Sequence, residues 1–143
     1  MLLLLQGPAG GGKSQVYREL INDGIYDFVA DYTAIWAAIG NHVRQANGLY
    51  AVRQSTEPIV ESGLVSYIQR ATVRQGLRNG LDGIVTTSRR GMEQVYADIA
   101  NETGTVMEVR TIDPGRETVT QRLAAQNGGS LLPECEAALN RWY

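Results

Sequence analysis

The feature that most constrains this chain is a glycine-rich segment at residues 7–14, which directly follows the apolar run at residues 1–5. Its letters, GPAGGGKS, fit the pattern G-x-x-x-x-G-K-[ST] at every fixed position. Glycines allow backbone conformations with positive φ, so successive N–H groups can turn inward around an anion. The pattern predicts a phosphate-binding loop between a buried strand and a helix.

The loop residues carry predicted roles towards a nucleoside triphosphate such as ATP. Lys13 would reach the β and γ phosphates, and Ser14 would put its hydroxyl on Mg²⁺. The helix that starts here would point its positive dipole end at the anion. The predicted nucleotide-binding residues are Gly7, Ala9, Gly10, Gly11, Gly12, Lys13, Ser14 and Gln15.

A glycine-rich turn that happens to precede a Lys-Ser pair is the alternative interpretation. The flanking sequence decides against it, because residues 2–5 form a continuous apolar run and apolar residues recur at helical spacing after Ser14. A dinucleotide-binding fingerprint competes poorly, since position 15 is Gln15 and not glycine.

Composition narrows the class of protein. A chain of 143 residues predicts a single domain over residues 1–143. The net charge of -2 argues against a broadly basic surface that coats nucleic acid. The single cysteine, Cys135, excludes an intramolecular disulfide and suits a reducing compartment. No stretch approaches the roughly 20 apolar residues of a membrane span, so we expect a soluble cytoplasmic protein without a membrane partner.

Alternating strand and helix patterns predict an α/β fold: the three-layer P-loop NTPase fold, with a mostly parallel sheet of four to five strands and helices on both faces. The predicted strands are residues 2–5, 26–30, 84–88 and 106–112. The predicted helices cover residues 13–22, 34–39, 64–77 and 115–126, with another from residue 92 to about 103 and a last one from Pro133. Thr33 and Asp113 are predicted N-caps, and Pro114 is the predicted first residue of the helix after the fourth strand.

Two stretches carry less certain patterns. Residues 41–62 contain turn signals and at most a short extended piece at residues 49–52, and we interpret them as an excursion that carries specificity. In the helix over residues 64–77, an apolar stripe is the predicted buried face, formed by Leu64, Val65, Ile68, Ala71 and Thr72 and continuing towards Leu77. The opposite face carries Arg70, Arg74 and Arg78, as a basic stripe for an anionic partner or as a solvated surface.

Asp31 is the first candidate for chemistry beyond the loop. It lies at the predicted carboxyl end of the second strand, which we expect beside the phosphate loop. This edge is where ligands bind in open α/β sheets. Its carboxylate could take the proton from an attacking hydroxyl or hold Mg²⁺ through water. The alternative role is that of an N-cap for the next helix. The third strand ends in Thr86, Thr87 and Ser88 with no acidic residue, so a hydroxyl could contact the metal or the γ phosphate instead.

Arginines form the second set of candidates. Arg116 and Arg122 follow the fourth strand, where a lid would be attached, and a mobile arginine can neutralise charge during phosphoryl transfer. Arg89 and Arg90 follow the third strand and could flank a substrate cleft. A solvated helix surface with ion pairs is the alternative for each.

With residues 7–14, Asp31 and the Asp113-Pro114-Gly115-Arg116 turn considered together, the chain resembles the small kinase branch of P-loop proteins, which includes polynucleotide kinases and zeta-toxin-like kinases. More closely it resembles the short kinase-like, ATP-binding proteins that bacteriophages and prophages encode. The resemblance implies binding of ATP and Mg²⁺, Asp31 as a base towards an acceptor hydroxyl, and lid positions for Arg116 and Arg122. It implies a nucleotide, a nucleic-acid end or a small molecule as acceptor, in the cytoplasm of a bacterial or phage-infected cell.

Two hypotheses about the function remain open. The first is a kinase that transfers the γ phosphoryl group to a hydroxyl, with Lys13, Asp31, Arg116 and Arg122 as catalytic residues and Ser14 and Asp31 as metal ligands. The second is a nucleotide-binding module or slow NTPase that regulates a partner in phage assembly or nucleic-acid handling. The missing acid after the third strand favours the second hypothesis.

Overall fold

A computed structural model describes residues 1–41 and 57–143 of the chain. In the described part, strands and helices alternate along most of the chain. The strands are β1 (Leu2–Gln6), β2 (Phe28–Ala30), β3 (Gly83–Thr87) and β4 (Met107–Thr111). The helices are α1 (Lys13–Asn22), α2 (Tyr32–Ile39), α3 (Pro58–Glu61), α4 (Leu64–Arg78), α5 (Glu93–Glu102), α6 (Arg116–Ala125) and α7 (Pro133–Trp142). Most of the predicted excursion, including its extended piece at residues 49–52, lies outside the described residues.

The described strands form one four-stranded sheet in the order β2-β3-β1-β4. All three pairings are parallel. In the register, Leu4 of β1 lies opposite Val85 of β3 on one side and Val109 of β4 on the other. The predicted α/β class with a parallel sheet is confirmed. The expected position of β2 beside β1 is wrong, because β3 lies between them. Asp31 therefore follows a strand that does not pair with the strand of the phosphate loop.

The two faces of β1 hold the two main parts of the core. Leu2 and Leu4 pack with apolar residues of α4 and α5 on one face of the sheet. Leu3 and Leu5 pack with apolar residues of α1 on the other face. All four leucines are fully buried. A strand buried on both faces reads as a continuous apolar run, which explains why residues 2–5 lack the alternation of a half-exposed strand.

Helix α4 buries a face that overlaps the predicted one only in part. Its buried residues are Val65, Gln69, Val73 and Leu77, at a spacing of four. Burial of Val65 and Leu77 agrees with the prediction, whereas Leu64 is 43% exposed. The middle of the predicted stripe is wrong because a polar residue, Gln69, occupies a buried position there. One arginine of the basic stripe on this helix makes an ion pair, since Arg74 Nε lies 3.0 Å from Glu102 Oε2.

Two predicted caps are also wrong. Helix α2 begins at Tyr32, and its N-cap is Asp31, whose Oδ2 accepts a hydrogen bond from the Ala34 amide at 2.8 Å. Thr33 lies inside the helix instead of capping it. Helix α6 begins at Arg116 with Gly115 at the N-cap position, so Asp113 and Pro114 precede the helix. Gly115 has a φ of 102°, a conformation in which a cap residue with a side chain is strained.

The C-terminal helices α6 and α7 pack on each other around Val119, Leu123, Cys135 and Leu139. Cys135 is a buried free thiol, as its position on the apolar face of α7 predicts. Burial raises the pKa of this thiol, which makes it a poor nucleophile and keeps its role structural.

No helix within residues 1–41 and 57–143 combines the length and the apolar character that a membrane crossing requires.

The contact between α4 and the sheet depends on two glycines on either side of Phe28. A Cβ added to Gly76 would lie 2.4 Å from the Phe28 ring, and one added to Gly83 would lie 2.2 Å from it. The ring therefore fills the space that both side chains would need. We expect Gly76→Ala to destabilise the protein by about 1–3 kcal/mol through overpacking, although alanine favours a helix over glycine by about 1 kcal/mol.

Urea unfolding of Gly76→Ala, Phe28→Leu and the double variant measures this contact. Phe28→Leu makes room, so the double variant should be more stable than the sum of the two single effects predicts. A Gly76→Ala protein as stable as the wild type would contradict the close packing described here.

Candidate phosphate-binding site

The loop between β1 and α1 has the backbone that its glycines predict. Gly10 and Gly12 have φ values of 78° and 99°, which side chains rarely tolerate. Gly7 lacks space instead, because a Cβ there would lie 2.1 Å from the carbonyl oxygen of Ile112. The Gly11 amide donates to the carbonyl of Pro8 at 3.0 Å and closes a tight turn. These residues hold the segment as a compact loop above the carboxyl end of β1.

Helix α1 begins at Lys13, so the first amides of the helix lie at the end of this loop. The first four N–H groups of an α-helix have no partner inside the helix, and they carry the positive end of its dipole. Ser14 and Gln15 belong to this first turn. The loop and the first turn together provide backbone donors suited to an anion.

The Lys13 side chain folds back over the loop. Its Nζ donates to the carbonyl oxygens of Gly7 at 2.7 Å and Pro8 at 2.9 Å. The same atom donates to Ser88 Oγ at 3.0 Å, just beyond the end of β3. The ammonium group thus lies between the phosphate loop and the neighbouring strand end, where it can attract an anion held by the loop.

Asp31 follows β2 at the same edge of the sheet, two strands away from β1. Its Oδ1 accepts a hydrogen bond from Thr86 Oγ1 at 2.7 Å, and its Oδ2 accepts from the Ala34 amide at 2.8 Å. The Tyr32 amide in turn donates to Thr86 Oγ1 at 3.3 Å. The carboxylate is thus fixed by both its oxygens, and each oxygen retains a second lone pair for another donor.

Hydroxyl groups at the end of β3 contact both candidate groups of the site. Thr86 contacts Asp31, and two residues later Ser88 contacts Lys13. The sequence shows no acid at this strand end, and the structure shows that hydroxyls link the phosphate loop with Asp31 there. Among residues 1–41 and 57–143, no group of three or more histidine, cysteine, aspartate or glutamate side chains could hold a metal ion by itself.

The two candidate lid arginines are engaged differently. Arg122 Nη1 lies 3.3 Å from the carbonyl oxygen of Gly10, so α6 brings a cation to the phosphate loop. Arg116 instead donates from Nη2 to Asn140 Oδ1 at 2.8 Å, and its guanidinium lies 5.7 Å from the centre of the Tyr143 ring. The structure therefore brings Arg122, and not Arg116, into contact with the loop.

The end of α7 binds the turns that follow β3 and β4. Arg90 Nε donates to the carbonyl of Trp142 at 2.6 Å, and its guanidinium stacks 4.2 Å from the centre of that residue's ring. Asp113 accepts hydrogen bonds from Tyr143 Oη and Trp142 Nε1, and from the Gly115 amide at 2.9 Å. Apart from the aromatic pair at positions 142 and 143, no sequence pattern indicates these contacts.

These contacts perturb two ionisable groups. The hydrogen bond from Tyr143 lowers the pKa of Asp113, with smaller contributions from Gly115 and Trp142. Desolvation and the bond to Asp113 raise the pKa of Tyr143 to about 12. At neutral pH the pair is therefore an ionised carboxylate that accepts from a neutral phenol.

No protein-family model and no curated protein sequence matches this chain.

Solved structures do resemble it. A candidate kinase from Chloroflexus aurantiacus has a TM-score of 0.70 at 11% identity, over 96% of this chain and 73% of that one. A chain of the Pnkp1/Rnl/Hen1 RNA repair complex has a TM-score of 0.67 at 18% identity, over 99% of this chain and 43% of that one. Shikimate kinase from Acinetobacter baumannii in complex with shikimate has a TM-score of 0.53 at 19% identity, over 97% of this chain and 72% of that one.

This chain thus spans less than half of the RNA repair protein and about three quarters of the two others. The likeness covers the parallel sheet and the helices on both of its faces. The fold is that of the P-loop kinases, as the sequence predicts.

The hydrogen bonds that Asp113 accepts from Tyr143, Trp142 and Gly115 should make the stability of the protein depend on pH. Because the pKa of Asp113 is lowered in the folded state, its contribution to stability is present above its unfolded pKa of about 4 and is lost as the pH falls through the folded value. Tyr143→Phe removes the main donor, so we expect its Tm to lie about 1–3 °C below that of the wild type at about pH 7, and this difference to shrink near pH 3.

Thermal unfolding followed by circular dichroism across this pH range measures the difference. Tyr67→Phe is the matched control, because Tyr67 is 66% exposed and lies on α4, away from Asp113. A Tyr143→Phe difference that is the same at both ends of the range would contradict the assigned bond.

Proposed function

We propose that this protein is a kinase that uses ATP and Mg²⁺ and transfers the γ phosphoryl group to a hydroxyl acceptor. The observation that carries the proposal is the position of Lys13, whose ammonium lies between the phosphate loop and Ser88 at the edge of the sheet where Asp31 also lies. Lys13 supplies the cation for the terminal phosphates, and Asp31 supplies a carboxylate for the acceptor.

Nucleotide binding would use the loop residues together. The amides of residues 10–15 would surround the phosphates, and Lys13 would exchange its contacts with the loop carbonyls for contacts with phosphate oxygens. Arg122, which lies against Gly10, is the cation of α6 best placed to neutralise charge on the transferred group. Arg116 would join it only after leaving Asn140 and Tyr143.

The oxygen donors of the site fit Mg²⁺. This ion usually keeps several waters and is held by one or two protein oxygens together with substrate phosphates. The Ser14 hydroxyl and the Asp31 carboxylate are such oxygens. When bound, the ion would offset the negative charge of the phosphates.

The chemical step assigned to Asp31 is proton removal. The acceptor oxygen forms a bond to the γ phosphorus as the bond from that phosphorus to the leaving ADP oxygen breaks, and the acceptor's proton passes to an Asp31 oxygen. The bonds from Thr86 and Ala34 orient the carboxylate for this step. Because little covalent chemistry is left to the protein, most of the rate gain would come from positioning and charge.

The acceptor is a nucleotide, a nucleic-acid end or a small molecule. The likeness to a chain of an RNA repair complex supports a nucleic-acid end, and the likeness to shikimate kinase supports a small molecule. The resemblance to short phage-encoded kinases supports a place in the cytoplasm of a bacterial or phage-infected cell.

The second candidate is a nucleotide-binding module or slow NTPase that regulates a partner. One observation favours it: β3 ends in hydroxyl residues where an acid would help to hold the metal and orient a nucleophile. In that case nucleotide would bind without transfer to any acceptor.

Incubation with ATP labelled at the γ phosphate, Mg²⁺ and a panel of nucleosides, nucleotides, 5′-hydroxyl oligonucleotides and sugars separates the two candidates. We expect labelled acceptor, and a transfer rate that falls by about 10²- to 10⁴-fold in Asp31→Asn. Asparagine caps a helix as well as aspartate does, so the variant should keep its fold while losing the base. Asp23→Asn is the control: it makes the same change at the C-cap of α1, at the end of that helix away from the phosphate loop, and should transfer at the wild-type rate.

Label that stays on ATP or appears only as phosphate, with equal rates in Asp31→Asn and the wild type, would overturn the kinase and support the binding module.

The premise common to both candidates is nucleotide binding at the loop. We expect Lys13→Ala to weaken ATP binding by about 10- to 100-fold in calorimetric titration, because a charge-assisted contact to phosphate is lost. Arg18→Ala removes the same charge from an exposed position of α1 and is the control. If Lys13→Ala binds ATP as tightly as Arg18→Ala, then the loop is not the nucleotide site.

A further inference from the structure

We infer that Gln69 is a positioning residue for Asp31: from the buried face of α4 it fixes the ends of β2 and β3 between which the carboxylate is held. The catalytic consequence rests on the proposed kinase function, whereas the structural linkage does not. Gln69 is 4% exposed and is one of three polar residues buried in the described part of the chain.

The contacts of Gln69 are specific to an amide. Its Nε2 donates to the carbonyl of Ala30 at 2.9 Å and to the carbonyl of Thr86 at 2.7 Å. One amide nitrogen carries two hydrogens, so a single side chain satisfies both acceptors. An apolar side chain of the same length would leave two buried carbonyls without these donors, which is costly in a core.

Gln69 acts at the point where the two strands separate. The ladder between β2 and β3 ends with Ala30 opposite Val85. Beyond this pair, the amide of Tyr32, two residues after Ala30, donates to the hydroxyl of Thr86. The Gln69 amide donates to both carbonyls that flank this point. It therefore links β2 and β3 where their backbone hydrogen bonds end, and it holds the two strand ends at a fixed separation.

Asp31 is linked to the ends of both β2 and β3 at this point. It directly follows Ala30, and its Oδ1 accepts from Thr86 Oγ1 at 2.7 Å. Gln69 therefore fixes the backbone that carries the carboxylate and the backbone that carries the carboxylate's hydroxyl donor. Asp31 keeps its place between β2 and β3 only if the ends of both strands are held.

Neither hydrogen bond of the Gln69 amide nitrogen goes to the phosphate loop. The loop follows β1 and is connected to these strand ends only through the pairing of β1 with β3. Removal of the Gln69 amide should for this reason reduce transfer to the acceptor while ATP affinity is kept. A loss of stability alone would lower neither quantity when rates are measured per folded molecule well below Tm.

The test compares Gln69→Met with Gln75→Met. Methionine keeps the length of the side chain and removes the donors, and Gln75 is exposed on the same helix. We expect Gln69→Met to lower the transfer rate at saturating ATP by at least tenfold, with the ATP dissociation constant within about twofold of the wild type and with Gln75→Met unchanged. In an Asp31→Asn background, Gln69→Met should cause no further loss, because it acts through Asp31.

A second measurement does not depend on catalysis. The Ala34 amide donates to Asp31 Oδ2, so its hydrogen exchange reports how firmly the carboxylate is held. In Gln69→Met this amide should exchange at least tenfold faster, while amides in the middle of α5 keep their wild-type rates. If Gln69→Met does not fold, Gln69→Asn keeps the amide but shortens the side chain by one methylene, so that it cannot reach both carbonyls, and is measured in the same way.

The outcomes separate the two proposals. A wild-type protein that transfers label to no acceptor contradicts the kinase and leaves the Ala34 exchange rate to decide the role of Gln69. Unchanged Ala34 exchange in the folded variant overturns the positioning role. So does a Gln69 variant that transfers at the wild-type rate, or one whose effect is fully additive with Asp31→Asn.

Discussion

Burial of β1 on both faces is the constraint on which the rest of the structure depends. Its four leucines require α1 on one side of the sheet and α4 and α5 on the other, and its two edges are paired with β3 and β4. A strand enclosed in this way has its carboxyl end at the middle of the sheet edge. The chain must turn there, and the glycines of residues 7–14 allow a compact loop whose final residues begin α1.

The remaining elements bring charged and hydroxyl groups to that edge. Strand β3 carries Thr86 towards Asp31 and leads to Ser88 beside Lys13, so it connects the two halves of the site. Helix α6 brings Arg122 to the loop, and α7 holds Arg90 and Asp113 in the turns after β3 and β4. The site is thus assembled from strand ends that are distant in sequence and adjacent in space, which is how parallel sheets commonly build ligand sites.

Local pattern was enough to predict most of the fold. The apolar run before the loop and the helical spacing after it give β1 and α1, and the alternation of elements gives the parallel sheet. Strand order could not be predicted, because apolar strands of similar length do not specify their neighbours. The strand that ends at Asp31 was therefore expected beside β1, whereas β3 lies between the two. Gln69 was missed because a hydropathy pattern treats a polar residue as exposed, although its burial next to Val65 and Val73 follows from two carbonyls that need donors. The contacts of Arg116 with the end of α7 depend on tertiary packing, which spacing in the sequence does not encode.

We propose that the loop at residues 7–14 holds the phosphates of a nucleotide. A crystal structure with Mg²⁺ and a non-hydrolysable ATP analogue would show where the phosphates bind. We expect the γ phosphate between Lys13 Nζ and the first turn of α1, with Lys13 released from the carbonyls of Gly7 and Pro8. An analogue bound elsewhere on the chain, with Lys13 still bonded to those carbonyls, would contradict it.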